Sequence, residues 1–366
     1  MTAISVVDGV ALAVLGDDGS PPHTDGEVWV NCSDDKDNVI RYTRFFADFG
    51  PLNLAQTVRF CLRLNVFAST GRVVCFTKRR DRHHTANAAA LLALYAVLIR
   101  GKGAQEASRP FDSLDLPPFR DAAHGVCTYG ISVEDCASAV VKAIQTKLWA
   151  IDSFDVAEFE RMAMVEHGDM TWMVPGKLLA FSGPLAERYE FAPGKFTLRA
   201  QDYSKLFHEM GVSTVGERCD LIGLRTVAGV VRLNEQCYDR KKFVHAGIHH
   251  VDLIFPDGST PTDGILDKFI NICERERGAV AVHCKAGLGR TGTVIAAYII
   301  KHYHFTANEA IAWCRLCRPG CIVGPQQYFL AHKQASLWAQ PTCSRPPSKS
   351  KRPSVARRPR SRQSSD

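Results

Sequence analysis

Apolar and polar positions along this chain fall into blocks that predict alternating strands and helices. Residues 278–282 (Gly-Ala-Val-Ala-Val) read as a strand that ends at a glycine-rich loop, and Thr291 to Ile300 as the helix that begins where the loop ends. The apolar part of His249 to Phe255 predicts another strand, and Pro256 to Pro261 (Pro-Asp-Gly-Ser-Thr-Pro) a loop before a helix. Asp257 precedes Cys284 by 27 residues, room for a strand, a helix and a strand. Gly324-Pro325-Gln326-Gln327 marks a further helix start. In the first half, the segment from Arg72 (RVVCFTKRRDRHH) predicts a strand and a polar turn ahead of an alanine-rich helix that reaches Tyr95. Such alternation predicts an α/β fold, a central sheet flanked by helices.

At 366 residues the chain has room for two domains, each with its own core, and its 46% apolar and 23% charged composition is that of a globular protein. The net charge of +7 has one source: from Gln340 on there are eight Lys or Arg and one Asp, and the rest is formally neutral. That end is rich in proline and serine with almost no large apolar residue. It predicts a disordered tail over 339–366, serving as an import signal, a polyanion tether or a kinase target at Ser354 or Ser361. Val10 to Leu15 is too short for a secretory signal, and the longest apolar run, 88–99, stops at Arg100 short of membrane-spanning length. Thirteen cysteines without an export signal predict free thiols in a reducing, intracellular setting, nucleus or cytoplasm. The trio Cys314, Cys317 and Cys321 falls one ligand short of a closed zinc site, so neither metal nor cofactor is expected.

The chemistry concentrates in residues 283–292, HCKAGLGRTG. A sulfur that attacks phosphorus must be an anion near neutrality. A helix N-terminus with a ring of loop amides favours both that anion and a phosphate dianion. Glycines at 287, 289 and 292 let the N–H groups turn inward. Cys284 is the candidate nucleophile, and His283, Lys285, Ala286, Gly287, Leu288 and Gly289 form the phosphate-binding loop around it. Arg290 can fork onto two phosphate oxygens, and the Thr291 hydroxyl can bond the sulfur and steady it as a leaving group. The leaving oxygen needs a proton. Asp257 on its Asp-Gly turn is the candidate acid, and Asp252, inside the strand pattern, its competitor. Water must then attack the cysteinyl-phosphate in line, and either Gln326 or Gln327 could orient it. A small buried cysteine at a plain strand-to-helix turn is the alternative, which His283, the placed glycines and Thr291 together disfavour.

The first half echoes this region. Tyr95 and Glu106 are eleven apart, as are Tyr298 and Glu309, and 104–107 falls in register with 307–310. With Phe76-Thr77 opposite His283-Cys284, Thr77 replaces the nucleophile, His83 or a neighbour falls at the arginine position, and the glycines are missing. Cys75 belongs to the apolar strand and reads as core. The first half therefore predicts the same fold without the site.

Together HCKAGLGRTG, FPDGSTPTD from Phe255, AIAWCRLCRPGCIVGPQQYFLAHKQ from Ala310, FADFGPLNLA from Phe46 and PFRDAAHG from Pro118 resemble the mitotic-exit dual-specificity phosphatases, the cell-division-cycle fourteen family, from about Thr43 to about Trp338. The resemblance implies two tandem dual-specificity-phosphatase-like domains, the second catalytic. It implies Cys284 as nucleophile, Arg290 as clamp, Asp257 as acid, and Gln326 and Gln327 in support of hydrolysis. It also implies a preference for phosphoserine before proline with a basic residue further on, read by an acidic groove between the domains. Asp155, Glu158, Glu160, Glu166 and Asp169 lie where that groove is expected, with Glu160 and Glu158 the first candidates, though such charges also suit a solvated helix face. Pro256 before the acid and the extra thiols at Cys314 and Cys321 depart from the family pattern without removing a catalytic group.

The expected layout is a degenerate domain over 1–150, an acidic linker over 151–170, a catalytic domain over 171–338 and the basic tail. The expected activity is hydrolysis of phosphoserine, phosphothreonine and phosphotyrosine in phosphoprotein partners, in cell-cycle or cytokinesis control. A phosphoinositide phosphatase of the tensin type shares a lysine after the cysteine, here Lys285, but has a second lysine where this chain has Leu288. A non-catalytic phosphoprotein scaffold is the third reading, against which Cys284, Arg290 and Asp257 stand intact.

Overall fold

The computed structural model describes residues 2–22, 26–33, 40–212 and 227–341, so the expected tail lies outside it from 342 on, Ser354 and Ser361 included. In the first half, Thr2–Val7 (β1), Val10–Leu15 (β2), Glu27–Asn31 (β3) and Arg72–Lys78 (β4) form a sheet in the order β1-β2-β4-β3. β4 pairs in parallel with both neighbours. Leu54–Ala68 (α1) precedes β4, and Arg82–Leu98 (α2), Ala104–Ser108 (α3), Val133–Gln145 (α4) and Val156–Ala163 (α5) follow it.

The second half opens with Met170–Val174 (β5) and Leu178–Phe181 (β6). A small hairpin, Glu190–Ala192 (β7) and Lys195–Phe196 (β8), and Ala200–Val212 (α6) come next. Val227–Arg232 (β9), Lys241–Val244 (α7), His249–Asp252 (β10), Asp263–Arg275 (α8) and Ala279–His283 (β11) complete a sheet in the order β10-β9-β11-β6-β5. Gly289–Tyr303 (α9), Ala307–Cys317 (α10) and Pro325–Ala339 (α11) close the described chain. β11 is buried at every position and parallel to β9 and β6, the environment a continuous apolar run requires.

The series β4-α2-α3-α4 recurs as β11-α9-α10-α11, which is the sequence echo in three dimensions. α2 is buried without interruption from Thr85 to Val97, so the long apolar run is an interior helix. No described helix is long and apolar enough to cross a membrane. One expectation is corrected at Asp257. β10 ends at Asp252, so only α8 and β11 separate the acid from the cysteine. Pro256 lacks the N–H that would extend the ladder past the acid.

The expectation of two separate cores is also corrected. A single apolar cluster runs from Val10 to Leu337, and smaller clusters cover the outer sheet faces. α4 buries Ala137, Ala139 and Ala143, and α10 buries Ala307, Ala310 and Ala312. These small residues let helices from the two halves pack together. Trp149 meets Trp313 edge-on at 6.2 Å, and Asn308 Nδ2 donates to Asp135 Oδ1 at 3.2 Å across the same junction. The acidic linker is not extended chain. It forms α5, capped by the Asp155 side chain on the Glu158 N–H and packed on α1 and β5.

Candidate active site

Cys284 follows directly on β11 and is buried at the start of the turn into α9. The carbonyls of this turn are tied off one after another. His283 Nδ1 bonds the Cys284 carbonyl at 2.9 Å, and the Gly183 N–H bonds that of Lys285 at 3.0 Å. Arg318 Nη2 and Nε bond those of Ala286 and Gly287, each at 3.0 Å. The Leu288 carbonyl takes the Gly292 N–H at 2.8 Å within α9. In a planar trans peptide the C=O and N–H point opposite ways. Carbonyls drawn outward therefore leave the amide N–H groups turned inward, as a cradle for an anion requires. At Gly287, with φ +69°, a Cβ would lie 2.2 Å from the Phe181 carbonyl oxygen, so no side chain fits. Arg318 is itself buried and held by Asp169 at 2.8 Å. Sequence reasoning missed it, although an arginine directly before Pro319, in the block from Ala310, was the available signal.

His283 is fully buried and must donate from Nδ1 to a carbonyl, so its Nε2 is an acceptor. Tyr238 donates its hydroxyl there at 2.7 Å and accepts from His250 Nε2 at 2.8 Å. Burial holds both imidazoles neutral, His283 down to about 3 and His250 down to about 4. The Thr291 hydroxyl is buried without a hydrogen-bond partner, so the expected bond to sulfur is not made. α9 begins at Gly289 rather than Thr291, which sets that hydroxyl inside the first turn instead of at its mouth.

Arg290 is buried beneath the acid loop. Its Nη1 donates to the Phe255 carbonyl at 3.0 Å, its Nη2 lies 3.2 Å from Asp257 Oδ1, and its Nε has no partner. Asp257 projects into solvent over the guanidinium, whereas Asp252 is held by Arg232 at 2.7 Å. The geometry thus separates the two candidate acids. It separates the glutamines as well, both of which are buried. Gln326 Nε2 donates to the Ser259 carbonyl of the acid loop at 3.0 Å, and a Cβ on Gly289 would lie 3.1 Å from its Oε1. Gln327 turns away from the acid loop: Oε1 accepts from Arg315 of α10 at 2.7 Å, and Nε2 donates to Asp121 of the first half at 3.1 Å.

A cleft of about 410 Å³ opens beside the loop between the halves, lined by Ala286, Leu288 and Arg318 on one side and Tyr42, Phe45 and Gln56 on the other. Phe159 and Ala163, four apart on α5, face it. Glu158 and Glu160 do not line this cleft. Glu160 pairs with Arg59 of α1, and Glu158 holds Arg161 at 2.7 Å while lining a separate cavity with Trp149 and Trp172. The carboxylate lining the cleft is Asp169.

Residues 18–143 match the family described as dual specificity protein phosphatase, N-terminal half, and residues 210–304 one described as polymorphic toxin system, DSP-PTPase phosphatase. The chain is 46% identical over 312 residues to dual specificity protein phosphatase CDC14A of Mus musculus, covering 83% of this chain and 49% of that one. This chain belongs to the CDC14 dual specificity phosphatase family. It is also 38% identical over 330 residues to tyrosine-protein phosphatase cdc-14 of Caenorhabditis elegans, covering 86% of this chain and 44% of that one. The chain spans about half the length of the curated relatives it matches most strongly.

Both halves of this CDC14-family chain have the dual-specificity-phosphatase fold, yet their strand-to-helix turns differ in length. Between β4 and α2 lie only residues 79–81; between β11 and α9 lie 284–288. The Thr77 hydroxyl is buried against that of Thr85 at 2.8 Å, His83 stacks on Phe49, and Cys75 is core, its thiol pushed up by a bond to Cys32 and by burial. Cys314, Cys317 and Cys321 are buried too, and burial raises all three thiols, Cys321 to about 12.

Proposed function

We propose that this chain is a cysteine-dependent protein phosphatase, acting on phosphoserine, phosphothreonine and phosphotyrosine through a cysteinyl-phosphate. The observation that carries the reading is the run of outward-tied carbonyls around Cys284, with Arg290 and Asp257 facing each other at 3.2 Å. The Cys284 sulfur attacks phosphorus, the bond to the leaving oxygen breaks, and Asp257 gives that oxygen a proton. Water then attacks the same phosphorus, the Asp257 carboxylate takes the water's proton, the S–P bond breaks and phosphate leaves. Arg290 and the loop amides hold the non-bridging oxygens through both steps. Gln326, bonded to the acid loop, orients the water.

The names of the relatives, dual specificity phosphatases in mouse and a tyrosine phosphatase in the worm, support this activity. The family resemblance supports phosphoserine-proline sites with a nearby basic residue as substrates, in cell-cycle or cytokinesis control in the nucleus or cytoplasm. Cys284→Ser tests the whole reading. Turnover of phosphopeptides is expected to vanish while their binding survives, and a pull-down with this variant captures the substrates. Phosphoinositides serve as the competing substrate class. Turnover comparable to the parent chain would refute the nucleophile.

A further inference from the structure

We propose that Asp121, on the half without the cysteine, is a positioning residue for the hydrolytic step. It braces the loop that sets Gln326 against the phosphate-binding loop. The inference rests on the two-step reading above.

The starting observation is backbone strain. Ile322 is β-branched and fully buried, yet has φ +63°, and Gly324 follows at φ +55°. A β-branched residue keeps such a conformation only where its surroundings dictate it. Two buried side chains dictate it here. Arg315 of α10 donates to the Cys321 and Ile322 carbonyls at 3.2 and 3.0 Å, and to the Phe119 carbonyl of the first half at 3.3 Å. Asp121 accepts the Gly324 N–H and, at 3.1 Å, the Gln327 amide. The carbonyls of the bent segment are thus held by a cation on its own half, and its N–H by an anion from the other.

What the bent segment carries is Gln326. The Val323 N–H, one residue before Gly324, donates to Gln326 Oε1 at 2.9 Å, and Gln326 Nε2 reaches the acid loop at 3.0 Å. Asp121 touches none of the candidate reacting groups. It acts through Gly324 and Gln327 on the residue that meets the water. The block from Pro118 that contains it, conspicuous in the sequence and idle in the chemistry so far, acquires a use.

Both donors meet one oxygen, Asp121 Oδ2, which an asparagine carbonyl could replace, so the variant to use is Asp121→Ala, which leaves the Gly324 N–H and the Gln327 amide without that acceptor. With p-nitrophenyl phosphate, p-nitrophenol release in the first turnover is expected to stay within about two-fold of the parent, while steady turnover falls about ten-fold. Rapid acid quench and intact-mass measurement are expected to show the cysteinyl-phosphate accumulating. Combined with Gln326→Ala, the second change is expected to add little. A merely structural role would slow both steps together without accumulation, and that result overturns the proposal, as does parent-like turnover. If Asp121→Ala does not fold, Gln327→Met removes one of the two Asp121 contacts and is held to the same signature. A parent chain in which Cys284 never becomes phosphorylated sinks the two-step reading itself, a different failure from this one.

Discussion

A methyl group at residue 287 has nowhere to go, because the Phe181 carbonyl occupies its place and the backbone is left-handed there. Gly287→Ala is expected to cost about 1–3 kcal/mol in stability, read from urea unfolding, and to lower activity far more than that loss explains. Asp257→Ala is expected to slow alkyl phosphates more than aryl phosphates with good leaving groups, because only the former need the proton. Equal losses on phosphoserine peptide and p-nitrophenyl phosphate would count against the acid role. Arg318→Ala leaves the half-buried Asp169 carboxylate and two loop carbonyls without their donor, an expected loss of about 1–3 kcal/mol. Cys284, Arg290 and Asp257 could be read from the sequence because the chemistry demands those side chains at short spacings. Arg318 could not, because it works through main-chain carbonyls some thirty residues away, and Gln326 could be told from Gln327 only once α11 had a direction.

At the scale of elements, β10 and β11 lie on either side of β9, and Tyr238 bridges His250 of the one to His283 of the other. This arrangement fixes a pH dependence. Both imidazoles have folded-state values below the ordinary 6.5, so the unfolded chain binds protons that the folded chain refuses. Their contribution is fully present above about pH 6.5 and is lost as pH falls toward about 4, each removing up to about 1.4 kcal/mol per unit. Calorimetry across that window is expected to show a falling Tm, with a shallower slope in His250→Asn. A Tm independent of pH there would contradict the neutral chain of hydrogen bonds. Strand β11 and helix α9 were legible from unbroken apolar runs, since both are buried all round. The orientation of α5 was not, because its charges read equally well as groove or as solvated face. Only Phe159 and Ala163, seen against the cleft, settle which side is which.

For the whole molecule, the shared core predicts that residues 170–341 do not fold alone. Expressed separately, that segment is expected to lack the cooperative thermal transition of the full chain, which should itself unfold in a single step. Two independent transitions in the full chain would contradict a merged core. The duplication was legible in the paired spacing of Tyr95, Glu106, Tyr298 and Glu309. The merger was not, because an alanine-rich helix does not announce which sheet it will cover.

Thr77 stands as many residues ahead of α2 as Cys284 stands ahead of α9, so the first half does not lack length. It lacks a bend. β4 keeps Thr77 and Lys78 in register with Val14 and Leu15, whereas β11 stops one residue short of Cys284. Thr77→Cys with His83→Arg would therefore set the right atoms on a segment held straight by its neighbour, with no glycine to let it curl round a phosphoryl group. Reviving that copy would take unzipping the end of a strand as well as exchanging side chains.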